Sequence, residues 1–488
     1  MTRNELFIKI NSEKADNIFK ELYGNGNTAP SVFTVNTSND VSGEKSEIEK
    51  ARHRYAKLLE QDCFPKAELI NTSRDNFSGA KEEYRIFSAP GRTELAGNHT
   101  DHNRGKVLAA AIQPDSVAVV HKRTDNIVFY RSTGFPDVKV KLTDEKGNPD
   151  LQPKPEETGT TESLVRGIAA ELHRRGCPLG GFSANAESTV LPGSGLSSSA
   201  AVEVLIGRVF DSLYGEGKRS SLEIAQIGQY AENAYFGKPC GLMDQTACST
   251  GGAVAIDFAD TANPIVKQIK FDPGALGYAL CIVNTGGSHA DLTPDYASIP
   301  AEMKSVAAFF GKSVLREIDK ETVISDAAKI RKTLGDRALL RSLHFFNENE
   351  RVDAMVKALL EMENADRDTD KKAAFNHYLE LVDESGNSSW KLLQNVYPPN
   401  TPVSQGITTA LTLTREFFKR QTFRGACRVH GGGFAGTIQV YLPLHVIEEY
   451  RAFIEKVFGT ASVTPLRIRQ AGAIELFING QRELITSP

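Results

Sequence analysis

The sequence predicts an α+β protein with two large domains and an N-terminal appendage. Short strand-like segments and amphipathic helical segments are mixed along the chain without the regular alternation of a doubly wound sheet. A length of 488 residues exceeds what one hydrophobic core usually holds. The expected division is an extension over 1–80, a first domain over 81–275 and a second domain over 276–488.

The elements follow in order. Near Ser12–Leu22 and Glu47–Gln61 the apolar residues recur at helical spacing, and the polar stretch Tyr23–Ser46 between them reads as a linker. On that reading residues 1–45 are dispensable. A strand is expected at Glu83–Ser88, ending at the break Ala89-Pro90-Gly91. The runs VLAAAI, SVAVVH and NIVFYR then alternate with turn signals, which predicts an antiparallel sheet, followed by a helix over Glu162–Arg175. Val202, Leu205, Ile206, Val209, Phe210 and Leu213 fall on one helical face. The capping box Ser220-x-x-Glu223 starts another helix, which ends near Gly237 and Pro239. A mainly helical region from about Ala301 to Phe418 precedes short strands around RGACRVHGGGFAGTIQVYL and a last helix–strand pair.

Composition narrows the class of function. A net charge of -4 gives no electrostatic footprint for nucleic acid or for a membrane surface. No run of about 18 apolar residues is present for a membrane span, and the N-terminus lacks the apolar core of a signal peptide. The six cysteines include no C-x-x-C pair, so reduced thiols and a cytoplasmic location are expected.

The segment Leu191-Pro192-Gly193-Ser194-Gly195-Leu196-Ser197-Ser198-Ser199-Ala200-Ala201 opens directly into an amphipathic helix. Glycines let backbone N–H groups approach an anion, and the helix start adds unpaired donors and the positive end of the macrodipole. No lysine follows the second glycine, so this is not the P-loop of the NTPases. A Gly/Ser loop alone is equally consistent with serines that merely cap a helix.

Four segments together settle that choice. The loop just given resembles the second motif of the GHMP kinases. The stretch from Pro90-Gly91-Arg92 to Asn98-His99-Thr100-Asp101-His102-Asn103-Arg104-Gly105 resembles the first motif in its galactokinase form. Val429-His430-Gly431-Gly432-Gly433-Phe434-Ala435-Gly436 resembles the glycine-rich third motif, and Glu232 through Asp244-Gln245 is similar to the galactokinase segment carrying a catalytic aspartate. NENERV (Asn347–Val352) is a weaker match.

The resemblance implies a GHMP fold, with a ribosomal protein S5 domain 2-like N-terminal domain and a ferredoxin-like C-terminal domain. It also implies transfer of the γ-phosphoryl group of ATP to the anomeric hydroxyl of a galactose-like sugar. It makes Asp244 the proton acceptor and Arg92 its cationic partner, which keeps the carboxylate ionised. Gly193, Ser194, Gly195, Leu196, Ser197, Ser198, Ser199, Gly431, Gly432 and Gly433 would hold ATP. Ser199 and Glu232 would hold Mg²⁺, a hard ion suited to a hydroxyl and a carboxylate. Asn98, His99, Asp101, Gly241 and Tyr296 would read the sugar. The implied partners are ATP and a small sugar, with no nucleic acid or membrane, for a monomer or a homodimer.

Two positions depart from the family pattern G-E-H-T-D-Y: Asn98 stands for Glu and His102 for Tyr. If Asn98 faces C6 of the sugar, the lost negative charge makes a C6 carboxylate less repulsive. That opens galacturonate beside galactose, with N-acetylgalactosamine and arabinose as further relatives. A galactose- and ATP-binding regulator without turnover is the alternative of a different class.

Overall fold

The structure is a computed structural model and describes residues 1–23, 47–61, 83–190, 195–287 and 292–477. Its strands, in chain order, are β1 (Tyr84–Ala96), β2 (Lys106–Lys122), β3 (Ile127–Ser132), β4 (Val138–Lys141), β5 (Phe182–Ser188), β6 (Ala253–Asp257), β7 (Ile265–Ile269), β8 (Tyr278–Asn284), β9 (Ala426–His430), β10 (Thr437–Pro443), β11 (Val463–Leu466) and β12 (Ile474–Leu476). They form two sheets. One has the path β12-β1-β2-β5-β3-β4, with β6 joining β2 and β7 joining β6; the other runs β11-β8-β10-β9. The pairings are antiparallel except β3 with β5. The fold is mixed α+β, as the sequence predicts.

Strand alternation sends successive side chains of β1 and β2 to opposite faces. Phe87, Ala118 and Val120 join a core with the helices Thr161–Arg174, Ser198–Tyr214 and Ser221–Ala231. Ile86, Val117 and Val119 turn the other way and bury Leu6, Ile10, Phe19, Leu22, Tyr55 and Leu58 of three N-terminal helices, Arg3–Ile10, Glu13–Tyr23 and Glu47–Glu60. The last two lie within a residue or so of expectation. The first was not anticipated, although Thr2-x-x-Glu5 is a complete capping box. Removing residues 1–45 would take the first two of these helices off that face of the sheet, so their reading as dispensable conflicts with this packing. Of the expected linker, residues 24–46 lie outside the described residues.

The break expected after Ser88 is instead a bulge inside a continuous strand. Pro90 lies opposite Asp115 and Arg92 opposite Ala111, so β2 carries extra residues at that point. VLAAAI and SVAVVH are accordingly one strand, whose first half pairs with β6 and second half with β5. In the bulge, Gln113 and Arg469 bond the facing chain: Gln113 N–H donates to Arg467 O at 3.0 Å and Arg469 N–H to Ala111 O at 2.9 Å. The chain's end thus returns to the first sheet, where β12 pairs with β1. Between β8 and β9 the structure is helical, with long helices Asp336–Asn364 and Asp368–Ser388. Among the described residues no helix is long and apolar enough to cross a membrane, and Cys177, Cys240, Cys248, Cys281 and Cys427 are free thiols.

Candidate active site

Asp244 sits in the first turn of the helix Met243–Thr250, where the helix dipole favours a carboxylate. Arg92 reaches it from the far side of the bulge. Arg92 Nε and Nη2 donate to Asp244 Oδ1 and Oδ2, each at 2.7 Å, a bidentate fork. Ser197 Oγ donates to the same Oδ2, and Arg92 Nη1 donates to the Gly195 carbonyl. Three motifs far apart in sequence therefore converge on one carboxylate. Burial pushes the Asp244 carboxyl up, but the Arg92 charge and the bonds from Arg92 and Ser197 outweigh it, so it lies below the usual value. Its side chain stays 31% exposed against 8% for Arg92, which leaves the carboxylate an open side.

The approach of the second motif explains Gly91. Arg92 N–H donates to Leu196 O at 3.0 Å, and a β-carbon on Gly91 would come within 2.8 Å of that oxygen. Gly195 and Ser197 are both in the left-handed region, at φ +74° and +59°. Ser198 opens the helix Ser198–Tyr214. Gly193 and Ser194 lie outside the described residues.

Ser199 and Glu232 are brought together: Ser199 Oγ is 3.5 Å from Glu232 Oε1. The helix carrying Glu232 widens there into a π turn, Glu232–Phe236, closed by Gly237 at φ +84°. Three further residues surround Glu232. Lys238 Nζ donates to its Oε1 at 2.9 Å, and Gln245 Nε2 donates both to its Oε2 at 3.0 Å and to Glu203 Oε2 at 2.9 Å. Burial and then the neighbouring Glu232 push the Glu203 carboxyl well up, and Glu203 Oε1 is buried without a hydrogen-bond partner. Sequence reasoning missed Glu203, Lys238 and Gln245. A signal existed for Glu203, the one acid in the apolar run AAVEVLIG.

Of the residues expected to read the sugar, His99 and Tyr296 bond the third motif. His99 Nε2 bonds the Gly432 carbonyl at 2.9 Å, which makes Nε2 the protonated nitrogen and leaves Nδ1 as acceptor. Burial pushes the His99 pKa down to about 4, so the ring is neutral at pH 7. Tyr296 OH donates to the Gly433 carbonyl at 3.0 Å, and its ring lies where a β-carbon on Gly432 would fall, 2.4 Å away. Asp101 Oδ2 abuts Gly241, where a β-carbon would come within 2.1 Å, so Gly241 is required for that approach. His102, the other departure, donates its backbone N–H to Asp101 Oδ1 at 2.9 Å. Gly431, Gly432 and Gly433, expected on the nucleotide, therefore turn their carbonyls toward Asn98, His99 and Tyr296. A cavity of about 550 Å³ opens beside Phe434 and Ala435, and neither Arg92, Asp101 nor Asp244 lines it.

Asn98 corrects the expectation that it faces the sugar. It is fully buried. Its Nδ2 donates to Glu94 Oε1 at 3.0 Å and to Gly431 O at 2.6 Å, while its Oδ1 accepts from Asn395 Nδ2 at 2.7 Å and Ser389 Oγ at 3.5 Å. Both amide hydrogens and the carbonyl are committed inside the protein, so Asn98 stitches the first motif to the third. Glu94 in turn accepts from Arg428 Nη2 at 2.6 Å.

Fold and site together define a small-molecule kinase of the GHMP class. The GHMP kinases N terminal domain matches residues 163–252, and the galactokinase galactose-binding signature matches residues 74–122. A galactokinase of Streptomyces coelicolor is 31% identical over 398 residues, covering 80% of this chain and 93% of the relative. One of Glaesserella parasuis is 30% identical, with the same coverage. Among solved structures, the Lactococcus lactis galactokinase complexed with galactose superposes with a TM-score of 0.65 at 24% identity, covering 84% of this chain and 99% of that one. The chain belongs to the galactokinase family and is an ATP-dependent sugar kinase.

Proposed function

We propose that the chain transfers the γ-phosphoryl group of ATP to the anomeric hydroxyl of galactose, with Asp244 and Arg92 at the reacting end. The observation that carries this reading is the Arg92–Asp244 fork, partly exposed at Asp244 and closed on one side by Ser197. Asp244 is ionised and its side chain is partly exposed, so it orients the sugar hydroxyl and takes its proton. Arg92 holds that carboxylate in place and supplies positive charge close to the oxygens where charge develops. Phosphoryl transfer with a loose transition state asks for positioning and charge more than for a strong base, which fits a carboxylate of low pKa.

The residues present fit a divalent cation. Ser199 Oγ and Glu232 Oε1 are two hard oxygens 3.5 Å apart, and the Lys238 ammonium already rests on the same carboxylate. Ser199 and Glu232 would hold Mg²⁺, which when bound neutralises phosphate oxygens. The start of the helix Ser198–Tyr214 offers its unpaired N–H groups to the nucleotide phosphates. Asp101, His99 and Tyr296 hold the sugar. Gly241 keeps Asp101 within reach, and unpaired polar groups there would penalise a wrong epimer.

The case for a C6-altered sugar rested on Asn98, whose side chain is committed elsewhere, so galactose is the reading the site supports. The intact set Arg92, Ser199, Glu232 and Asp244 speaks for turnover over a silent regulator. The test is ATP consumption by the purified protein with galactose, galacturonate, N-acetylgalactosamine or arabinose. Galactose is expected to give the highest kcat/KM. A higher value for another sugar, or nucleotide binding without turnover of any, overturns the reading.

A further inference from the structure

Beneath the N-terminal helices lies a sealed polar cluster centred on Asp115 of β2, fully buried at the bulge opposite Pro90. Its Oδ2 accepts from Ser88 Oγ at 2.5 Å, Tyr23 OH at 2.7 Å and Arg469 Nη1 at 3.0 Å, and its Oδ1 accepts from Arg54 Nη2. Arg54 and Tyr23 come from the N-terminal helices and Arg469 from the returning end of the chain. The Arg54 guanidinium also lies near the rings of Tyr23 and Tyr55, at 5.8 and 5.7 Å, and their hydroxyls are 2.8 Å apart.

The Asp115 backbone reaches the other way. Its N–H donates to Thr189 Oγ1 at 3.0 Å and its carbonyl accepts from Thr189 N–H at 2.9 Å, while Arg54 Nη1 donates to Thr189 Oγ1 at 3.3 Å. Thr189 leads into Val190, whose side chain bounds Gly91, and Gly91 adjoins Arg92. On β1, Ser88 and Pro90 precede Arg92 by four and two residues. One carboxylate thus fixes both the chain entering the nucleotide loop and the strand segment that aims Arg92.

We propose that the N-terminal helices are a working part of the kinase and that Arg54 is a positioning residue for nucleotide binding, acting through Asp115 and Thr189. Arg54 lies outside both matched family segments. The proposal rests on the kinase reading above, though not on which sugar is used. Small displacements of a binding loop are costly, since a shift of about 1 Å can lose as much as a hundredfold in rate.

The experiment compares full-length parent, Arg54→Met and Arg54→Lys by equilibrium binding of a fluorescent ATP analogue, by KM for ATP and for sugar, and by thermal unfolding. Arg54→Met is expected to weaken analogue binding and raise KM for ATP by about tenfold, with KM for the sugar within about twofold. Arg54→Lys, which keeps the charge against Asp115, should recover most of that loss. Unchanged nucleotide binding with only a lower Tm means the helices merely pack, and overturns the proposal. So does a uniform loss in which both KM values stay fixed. Should Arg54→Met fail to fold, Tyr23→Phe decides, because it removes one donor to Asp115 while keeping the ring. An unchanged KM for ATP there overturns the proposal. If the parent does not phosphorylate galactose, the substrate reading fails while analogue binding still decides this one.

Discussion

Two aspartates on either side of the β1–β2 bulge are held by arginine, and they differ in what is left over. An ionised carboxylate has about four acceptor positions. Among the described residues Asp115 receives four donors, from Ser88, Tyr23, Arg54 and Arg469, and has no exposed surface. Asp244 receives three, two from Arg92 and one from Ser197, and keeps 31% of its side chain exposed. The same chemical pair is saturated in one place and keeps an acceptor position in the other, on the carboxylate proposed to react.

Substituting each aspartate by its amide breaks this comparison most directly. Asp244→Asn keeps the shape but removes the proton acceptor, and should lower kcat by about 10²–10⁴-fold with a nearly unchanged nucleotide affinity. Asp115→Asn leaves the buried Arg469 guanidinium and the half-buried one of Arg54 without their anion, and should cost about 3–5 kcal/mol of stability in denaturant unfolding. The outcomes are opposite in kind. An Asp244→Asn enzyme that retains most of its kcat, or an Asp115→Asn protein of parental stability, would undo the distinction.

A smaller effect sharpens the open side. Ser199→Ala and Glu232→Gln should each raise the Mg²⁺ concentration for half-maximal rate by about tenfold, since a hydroxyl or a charge is lost from a two-oxygen site. Titrating Mg²⁺ at saturating ATP checks this. An unchanged requirement in both variants removes these residues as ligands.

How much of this was legible in the sequence depends on whether a feature is local. Helix starts such as Ser220-x-x-Glu223, and the amphipathic helix that follows the second motif, are written in adjacent residues and lie where expected. Arg92 and Asp244 were identified by motif, but their fork joins residues 152 apart and needed the fold. The N-terminal helices cover one face of the first sheet, which their own periodicity does not show. The clue was in β2: SVAVVH is apolar at successive positions, which marks a strand buried on both faces, and a second cover was therefore required. Asn98 was misplaced for a related reason. A motif position says which backbone turn a residue occupies, but not whether Glu94, Gly431 and Asn395 have already taken its amide.

The smallest expected effect concerns a histidine near Arg92. His430 is buried, with Nε2 at 3.0 Å from Thr93 Oγ1 and Nδ1 at 3.0 Å from Thr437 Oγ1. Burial, then the charges of Arg92 and Arg428, hold its pKa well below the usual value. In the unfolded chain the same ring titrates near 6.5. As pH falls below about 6.5 the unfolded state binds a proton that the native state refuses, so stability is lost with falling pH and is unaffected above that point. Glu94 and Glu203, both raised by burial, work in the opposite sense, so the total slope mixes signs. A difference between variants isolates the histidine. His430→Gln preserves an amide that can bond both threonines and removes the titration. Between pH 6.5 and 5 its unfolding free energy should therefore decline less steeply than the parent's, the difference rising toward about 1.4 kcal/mol per pH unit near pH 5. Denaturant unfolding of both proteins at several pH values measures this. Parallel slopes would mean that the ring near Arg92 takes up a proton in the native state, and that the closed side of the site is wetter than its packing implies.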